Sequence, residues 1–238
     1  MIPKPGNQRG FTLIELMVVT GLSTVAIGLV VATLISQQKN HITQDALVDM
    51  QQNLRAAMEV MGGDLQMAGY DPTGNAGARF LVADRAELQF QMDRNGDGDL
   101  INIGPPATPD TGELIRFALT NDANRDGTAD GTPCDLGREL DGGDFQVLAE
   151  NIDALNFVYL DRNGTVLPTP VADMSLISSV QVTVVARSGR TVPVLFIRHR
   201  DTTAYHNRQG TTILAAPNDD FRRFAIMHEF RCRNLQLN

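Results

Sequence analysis

Cysteine is scarce in this chain: Cys134 and Cys232 are the only two among 238 residues. They belong to no C-x-x-C spacing, which removes zinc-ribbon and thioredoxin-like readings. An oxidising compartment would favour a disulfide between them, and a reducing one would leave two buried thiols. Histidine is equally sparse, and His41, His199, His206 and His228 form no cluster in the sequence. The stretch "HEFRC" starts as H-E-x-x-H does but places Cys232 where the second histidine must stand, so it cannot build a zinc-protease site. His228 then reads as a packed strand residue. No G-x-S-x-G, no P-loop and no G-x-G-x-x-G between strand and helix is present. Aromatic residues make up 5 %, and arginines gather toward the end of the chain, at Arg187, Arg190, Arg198, Arg200, Arg222, Arg223, Arg231 and Arg233. Those arginines suit partner docking, or contact with acidic parts of the chain, better than DNA. Nothing in this inventory supports an enzyme.

What is present is unevenly distributed. Hydrophobic residues amount to 42 %, enough for a real core. The net charge of −8 hides an acidic middle, with 17 Asp and Glu against 5 basic residues over 83–161, and a basic end, with 5 against 10 over 162–238. At the other extreme, Phe11 to Ile35 is a run of 25 residues whose only charge is Glu15. About 20 apolar residues suffice to span a bilayer. A charge inside such a run costs at least ~2.5–3.5 kcal/mol even on lenient scales, so its presence signals function and a partner. A secretory signal would have a shorter apolar core followed by a small-residue cleavage site. Here the small residue, Gly10, precedes the run, and a cut there would leave the apolar segment on the mature chain.

The residues "GFTLIE", Gly10 to Glu15, resemble the processing signature of type IV prepilins and type II secretion pseudopilins. The resemblance implies that a membrane prepilin peptidase cuts after Gly10 and N-methylates Phe11. It further implies that Glu15 pairs with the N-terminal amine of a neighbouring subunit as it enters a filament. Weaker likenesses in "LRAAMEVMGGDLQMAGYDP", "NIDALNFVYLDRNG" and "RRFAIMHEFRCRN" point to minor pilins of the PilW type and the related J-type minor pseudopilins. These imply a minor pilin that helps initiate or cap assembly, with major and minor pilins as partners through the N-terminal helix. The subunit would sit in the inner membrane with a periplasmic head and pass into an extracellular filament. A minor pseudopilin of a type II secretion system is the alternative. A reading from another class is a membrane-anchored extracytoplasmic domain that binds calcium or acts as an enzyme without polymerising.

The residues themselves predict an α+β fold. Ile42, Ala46, Met50, Leu54, Ala57, Met61, Leu65 and Ala68 recur at helical steps and give one sticky face. A helix over 11–69 would follow a basic leader over 1–10 and measure about 90 Å. It would be transmembrane in its first half and packed against a head in its second. Gly62-Gly63 would bend it, and Gly69 with Pro72 would end it. The methionines among these positions serve core packing. From residue 70 to 238 short Val/Ile/Phe-rich runs read as antiparallel strands, among them Phe80–Ala83, Leu88–Met92, Leu114–Leu119, Ile152–Leu160, Ile177–Ala186, Val192–Arg198 and Phe221–Cys232. Their sheet would cover the helix stripe.

An acidic insert, about 93–144, carries D-x-N-x-D-G twice. Alternate oxygen ligands around a glycine are the first half of a calcium loop. The first set is Asp93, Asn95, Asp97 and Asp99, and the second is Asp122, Asn124, Asp126 and Asp130. Gly104 and Pro133 stand where an EF-hand needs its bidentate glutamate, so closure would fall to Asp110, Glu113 or Asp135. The second loop is favoured, because Asp130 holds the ninth position that Ile101 occupies in the first. Turn formation alone accounts for the same residues in the competing reading.

Overall fold

The computed structural model describes residues 10–102, 108–109, 111–132, 134–189 and 199–236. The chain separates into two units, residues 1–44 and 45–238. The predicted leader falls outside the described residues except for Gly10, and the predicted strand Val192–Arg198 lies outside them altogether.

In the first unit, Gly10 to Gln38 is exposed throughout and helical from Leu13. Phe11, Leu13, Ile14, Leu22 and Leu29 each expose 66 % or more of their surface. A helix apolar all round is at home in lipid or among other apolar helices, not in water. It is long and apolar enough to cross a membrane.

The same helix, α1 (Leu13–Met67), continues into the second unit, where its character changes. Met50, Leu54, Ala57, Met58, Met61, Leu65 and Ala68 are buried and join the core, whereas Ile42 is 51 % exposed, so the packed stripe starts later than the sequence pattern does. Each fully buried Leu or Met contributes roughly 1.5–3 kcal/mol relative to exposure. The helix runs unbroken through Gly62 and Gly63. Gly62 has a packing reason: a Cβ there would lie 2.5 Å from the Phe230 ring. Gly69 ends the helix as expected, with φ at +74° and its N–H donated to the Gln91 carbonyl at 2.9 Å.

Strands follow in the order β1 (Phe80–Ala83), β2 (Leu88–Gln91), β3 (Ile101–Asn102), β4 (Thr108–Pro109), β5 (Leu114–Leu119), β6 (Leu136–Leu140), β7 (Gln146–Ala149) and β8 (Ile152–Leu160). Then come β9 (Ser179–Arg187), β10 (Tyr205–His206), β11 (Thr212–Leu214) and β12 (Arg223–Arg231). Every pairing is antiparallel. One sheet has the order β1-β2-β5-β6-β7 and another β12-β9-β8, with β3-β4 and β10-β11 as short ribbons. The two-residue period of β9 turns Val180, Val182 and Val184 into the core beneath α1 residues such as Leu54 and Met61. One ion pair fastens the helix to the larger sheet, with Arg138 donating to Asp64 at 2.7 and 3.0 Å.

The outer edge of β8 is closed by loops rather than by a strand. Phe157 donates to the Arg85 carbonyl at 2.7 Å, Leu155 to Gly127 at 2.8 Å, and Ala129 to Asp153 at 3.0 Å. This places the second acidic loop directly against the core.

Candidate functional site

The N-terminal site is built from one turn. Thr12 precedes the first helical residue and caps it: the Glu15 N–H donates to Thr12 Oγ1 at 3.2 Å, while the Thr12 N–H and hydroxyl donate to Glu15 Oε2 at 3.0 and 2.9 Å. This reciprocal arrangement is a capping box, satisfying donors that a helix start leaves open. The sequence reading missed Thr12, although T-x-x-E before an apolar run is its signal. Both bonds from Thr12 reach Oε2, and among the described residues Oε1 accepts none. Glu15 thus sits as a shaped carboxylate in a wholly apolar exposed helix, one oxygen turned to its own chain and the other open to a cation.

Residues 5–35 match the family model described as the prokaryotic N-terminal methylation motif. The match takes in the whole of Gly10 to Glu15 and the apolar run after it. The motif marks pilin-like structural proteins rather than enzymes. Comparison with curated proteins returned no match. Among solved structures, the type IV-like pilin TTHA1219 from Thermus thermophilus is similar at 14 % identity, over 78 % of this chain and 97 % of that one, with a TM-score of 0.43.

The two acidic loops take different forms. In the first, Asp93 is wholly buried and accepts from Gly96 and Gly98 N–H at 2.6 and 3.1 Å. Asn95 accepts from Asp97 N–H and donates to the Asp97 carboxylate, both at 2.8 Å, and Asp99 accepts from Ile101 N–H. Glu113, 1 % exposed, reaches the same loop and accepts from the Arg94 and Asn95 N–H groups. The sequence named Glu113 with Asp110 and Asp135 as candidates to close a loop, and Glu113 lies against this one as an acceptor of its backbone N–H groups. Gly104 and Asp110 lie outside the described residues.

In the second loop, Asp122 accepts from Asp126 and Gly127 N–H at 3.1 and 2.9 Å. The Asn124 amide donates to Asp126 at 3.2 Å and Asp130 at 3.5 Å. Gly127 takes φ of +84° and presses on the Leu155 carbonyl, where a Cβ would stand 2.3 Å away. Asp130 is already engaged, accepting from Ala123 and Asn124 N–H. Asp135 serves another turn, accepting from Asn151 N–H, and Pro133 lies outside the described residues. Among the described residues no group of three His, Cys, Asp or Glu is placed as metal ligands.

The cysteines correct an expectation. Both are buried and free. Cys134 accepts a hydrogen bond from Ile152 at one end of β8, and Cys232 donates to Ser178, which itself donates to Leu160 at the other end. The length of β8 between them, about 26 Å at 3.3 Å per residue, far exceeds the ~7 Å that bridged Cα atoms allow. Burial raises the pKa of both thiols, that of Cys232 to about 12, which suits inert packing residues.

The basic end finds its partners away from the acidic insert. Arg223, whose side chain is 4 % exposed, donates to Asp153 at 2.6 Å, to both oxygens of Asp219 at 2.7 Å and to Asp201 at 3.3 Å. Arg187 adds a contact to Asp153 at 3.4 Å. The cluster pins the chain before β12 onto the start of that strand. Its members are spread from 153 to 223 and share no local pattern, so the sequence reading had no signal for it. His228 is exposed and lies over Phe230, ring centres 4.5 Å apart, with no metal-binding company among the described residues.

Proposed function

We propose that this chain is a minor type IV pilin of the PilW type, inserted in the inner membrane with a periplasmic head and drawn from there into an extracellular filament. The observation that carries this reading is Glu15: a capped carboxylate with one oxygen open, in a helix that exposes apolar side chains on every side. A neighbouring subunit's free N-terminal amine supplies the cation, and helix-to-helix packing supplies the apolar contact. Prepilin peptidase and other pilins are the partners. Mature protein should begin at methylated Phe11. Glu15→Ala should keep membrane insertion and a folded head while lowering incorporation into sheared filaments at least tenfold, the equivalent of a pair worth about 1.4 kcal/mol. Normal incorporation, or another mature N-terminus, overturns the reading. Secretion-dependent recovery without any pilus would transfer it to a type II pseudopilin.

Calcium belongs to the proposal at the first acidic loop. Asp93 and Glu113 are two carboxylates buried against one turn, and oxygen donors from Asn95 and Asp97 stand beside them. Burying two carboxylates against one turn favours a cation nearby, and an all-oxygen donor set suits calcium. Both loops spend carboxylate oxygens on backbone N–H groups, and what distinguishes the first is Glu113, a buried carboxylate from outside the loop that lies against it.

A further inference from the structure

At one end of the β12-β9-β8 sheet lies a cleft of about 380 Å³, lined by Asp161, Arg162, Ser179, Glu229, Arg231 and Arg233 among others. Alternation along β12 and just past its end creates it. Phe230 and Cys232 are buried, with Cys232 N–H still donated to the Ser178 carbonyl beyond the last strand residue, so Glu229, Arg231 and Arg233 turn outward, and Arg162 joins them from the turn after β8. The two carboxylates are already engaged. Asp161 accepts from Asn163 and Thr165 N–H at 2.8 and 2.7 Å. Glu229 accepts from Ser179, Gln181 and Arg208 at 3.0 to 3.1 Å. Hydrogen bonding from Gln181 leads the causes that hold the Glu229 carboxyl below its usual range, with Arg208 and Arg231 adding to it. The three arginines are exposed, and among the described residues none of them forms a salt bridge.

We propose that this cleft is a docking site for an acidic peptide strand of a partner protein, one with carboxylates at alternate positions. Arg231 and Arg233 stand two residues apart, about 6.6 Å along an extended chain, the same spacing that separates alternate carboxylates on a facing strand. Guanidinium forks recognise carboxylates in bidentate fashion. A single-stranded nucleic acid fits worse, because no aromatic side chain lines the cleft to stack a base. The proposal does not depend on the filament reading, since it concerns only the head.

The test uses the full chain in detergent and a fluorescein-labelled ten-residue peptide of alternating Asp and Ser, followed by anisotropy. The acidic peptide should bind, weaken as salt rises, and lose about tenfold or more in affinity in the Arg231→Ala/Arg233→Ala variant. Arg162→Ala, on a separate turn, should weaken it as well. The charge-reversed Arg231→Glu/Arg233→Glu variant should instead bind an alternating Lys-Ser peptide. Thermal melts of these exposed-site variants should match the parent and certify folding. Equal affinity in parent and variants overturns the proposal. So does tighter binding of a 20-base-pair duplex than of the peptide, or full competition by millimolar inorganic phosphate alone.

Discussion

Adjacent glycines on α1 offer a test in which one substitution has opposite signs at neighbouring positions. Gly62 and Gly63 both lie inside the helix, so replacing either with alanine removes a backbone-entropy penalty of roughly 0.5–1 kcal/mol. At Gly63 a new Cβ meets no atom within 4 Å, and that gain should appear undiminished. At Gly62 the Cβ would lie 2.5, 3.1 and 3.3 Å from three atoms of the Phe230 ring. Phe230 is 7 % exposed, held in β12 opposite Val180, and backed by the His228 ring, so it has little room to retreat. Overpacking of this kind costs typically 1–3 kcal/mol. The net for Gly62→Ala is therefore a loss of up to about 2.5 kcal/mol. For a domain of this size each kcal/mol moves Tm by about 2–4 °C, so Gly63→Ala should melt about 1–4 °C higher than the parent and Gly62→Ala up to about 10 °C lower. Circular dichroism of the full chain in detergent reads both. Combining Gly62→Ala with Phe230→Leu should recover part of the loss, because the smaller side chain vacates the space. If both alanines raise Tm equally, Phe230 does not pack on α1 at this turn, and the placement of β12 under the helix is wrong.

Intact-mass measurement of periplasm-derived protein, with and without reductant, should show no two-hydrogen difference, and both thiols should resist alkylation until the head unfolds; a bridge between Cys134 and Cys232 would refute the register. Arg223→Met should destabilise the head by about 3–5 kcal/mol at pH 7, because it strands Asp201 and Asp219 without their cation and leaves Asp153 with Arg187 alone. Hydrogen bonding from Arg223 holds the Asp219 carboxyl below its usual range, so that stabilisation is complete above the unfolded value near 4 and is lost as pH falls through the lower folded value. Urea titrations should accordingly show a smaller deficit at pH 3 than at pH 7, and an equal deficit would deny the charge origin. Calcium at a hundred times its dissociation constant should stabilise the protein by about 2.7 kcal/mol, and Asp97→Ala should reduce that shift more than Asp126→Ala. Identical melts in calcium and in chelator would leave both loops as turns.

Local features carried much of this molecule in plain sight. Periodicity alone marks the change from the all-round apolar run at Phe11 to Ile35 to the one-sided stripe at Met50, Leu54 and Met61, because a helix in lipid and a helix on a sheet need different patterns. Strands β1, β5 and β8 were legible to the residue, since each is a short run rich in β-formers between turn residues. Strand β6 was not: "LGREL" has no β-branched residue, and it is a strand because Gly137 admits the Phe145 ring and Arg138 reaches Asp64 on the helix. The motif at Gly10 to Glu15 was readable because every part of it lies within six residues. What depended on tertiary structure was each pairing of distant positions. The two cysteines could be bridged only if the sheet brought them together, and the register of β8 and β9 sets them at opposite ends of a strand. The same folding carried Glu113 to the first acidic loop and Asp153, Asp201 and Asp219 to Arg223. Composition specifies which groups a chain has to satisfy, but only the closed sheets decide which of them meet.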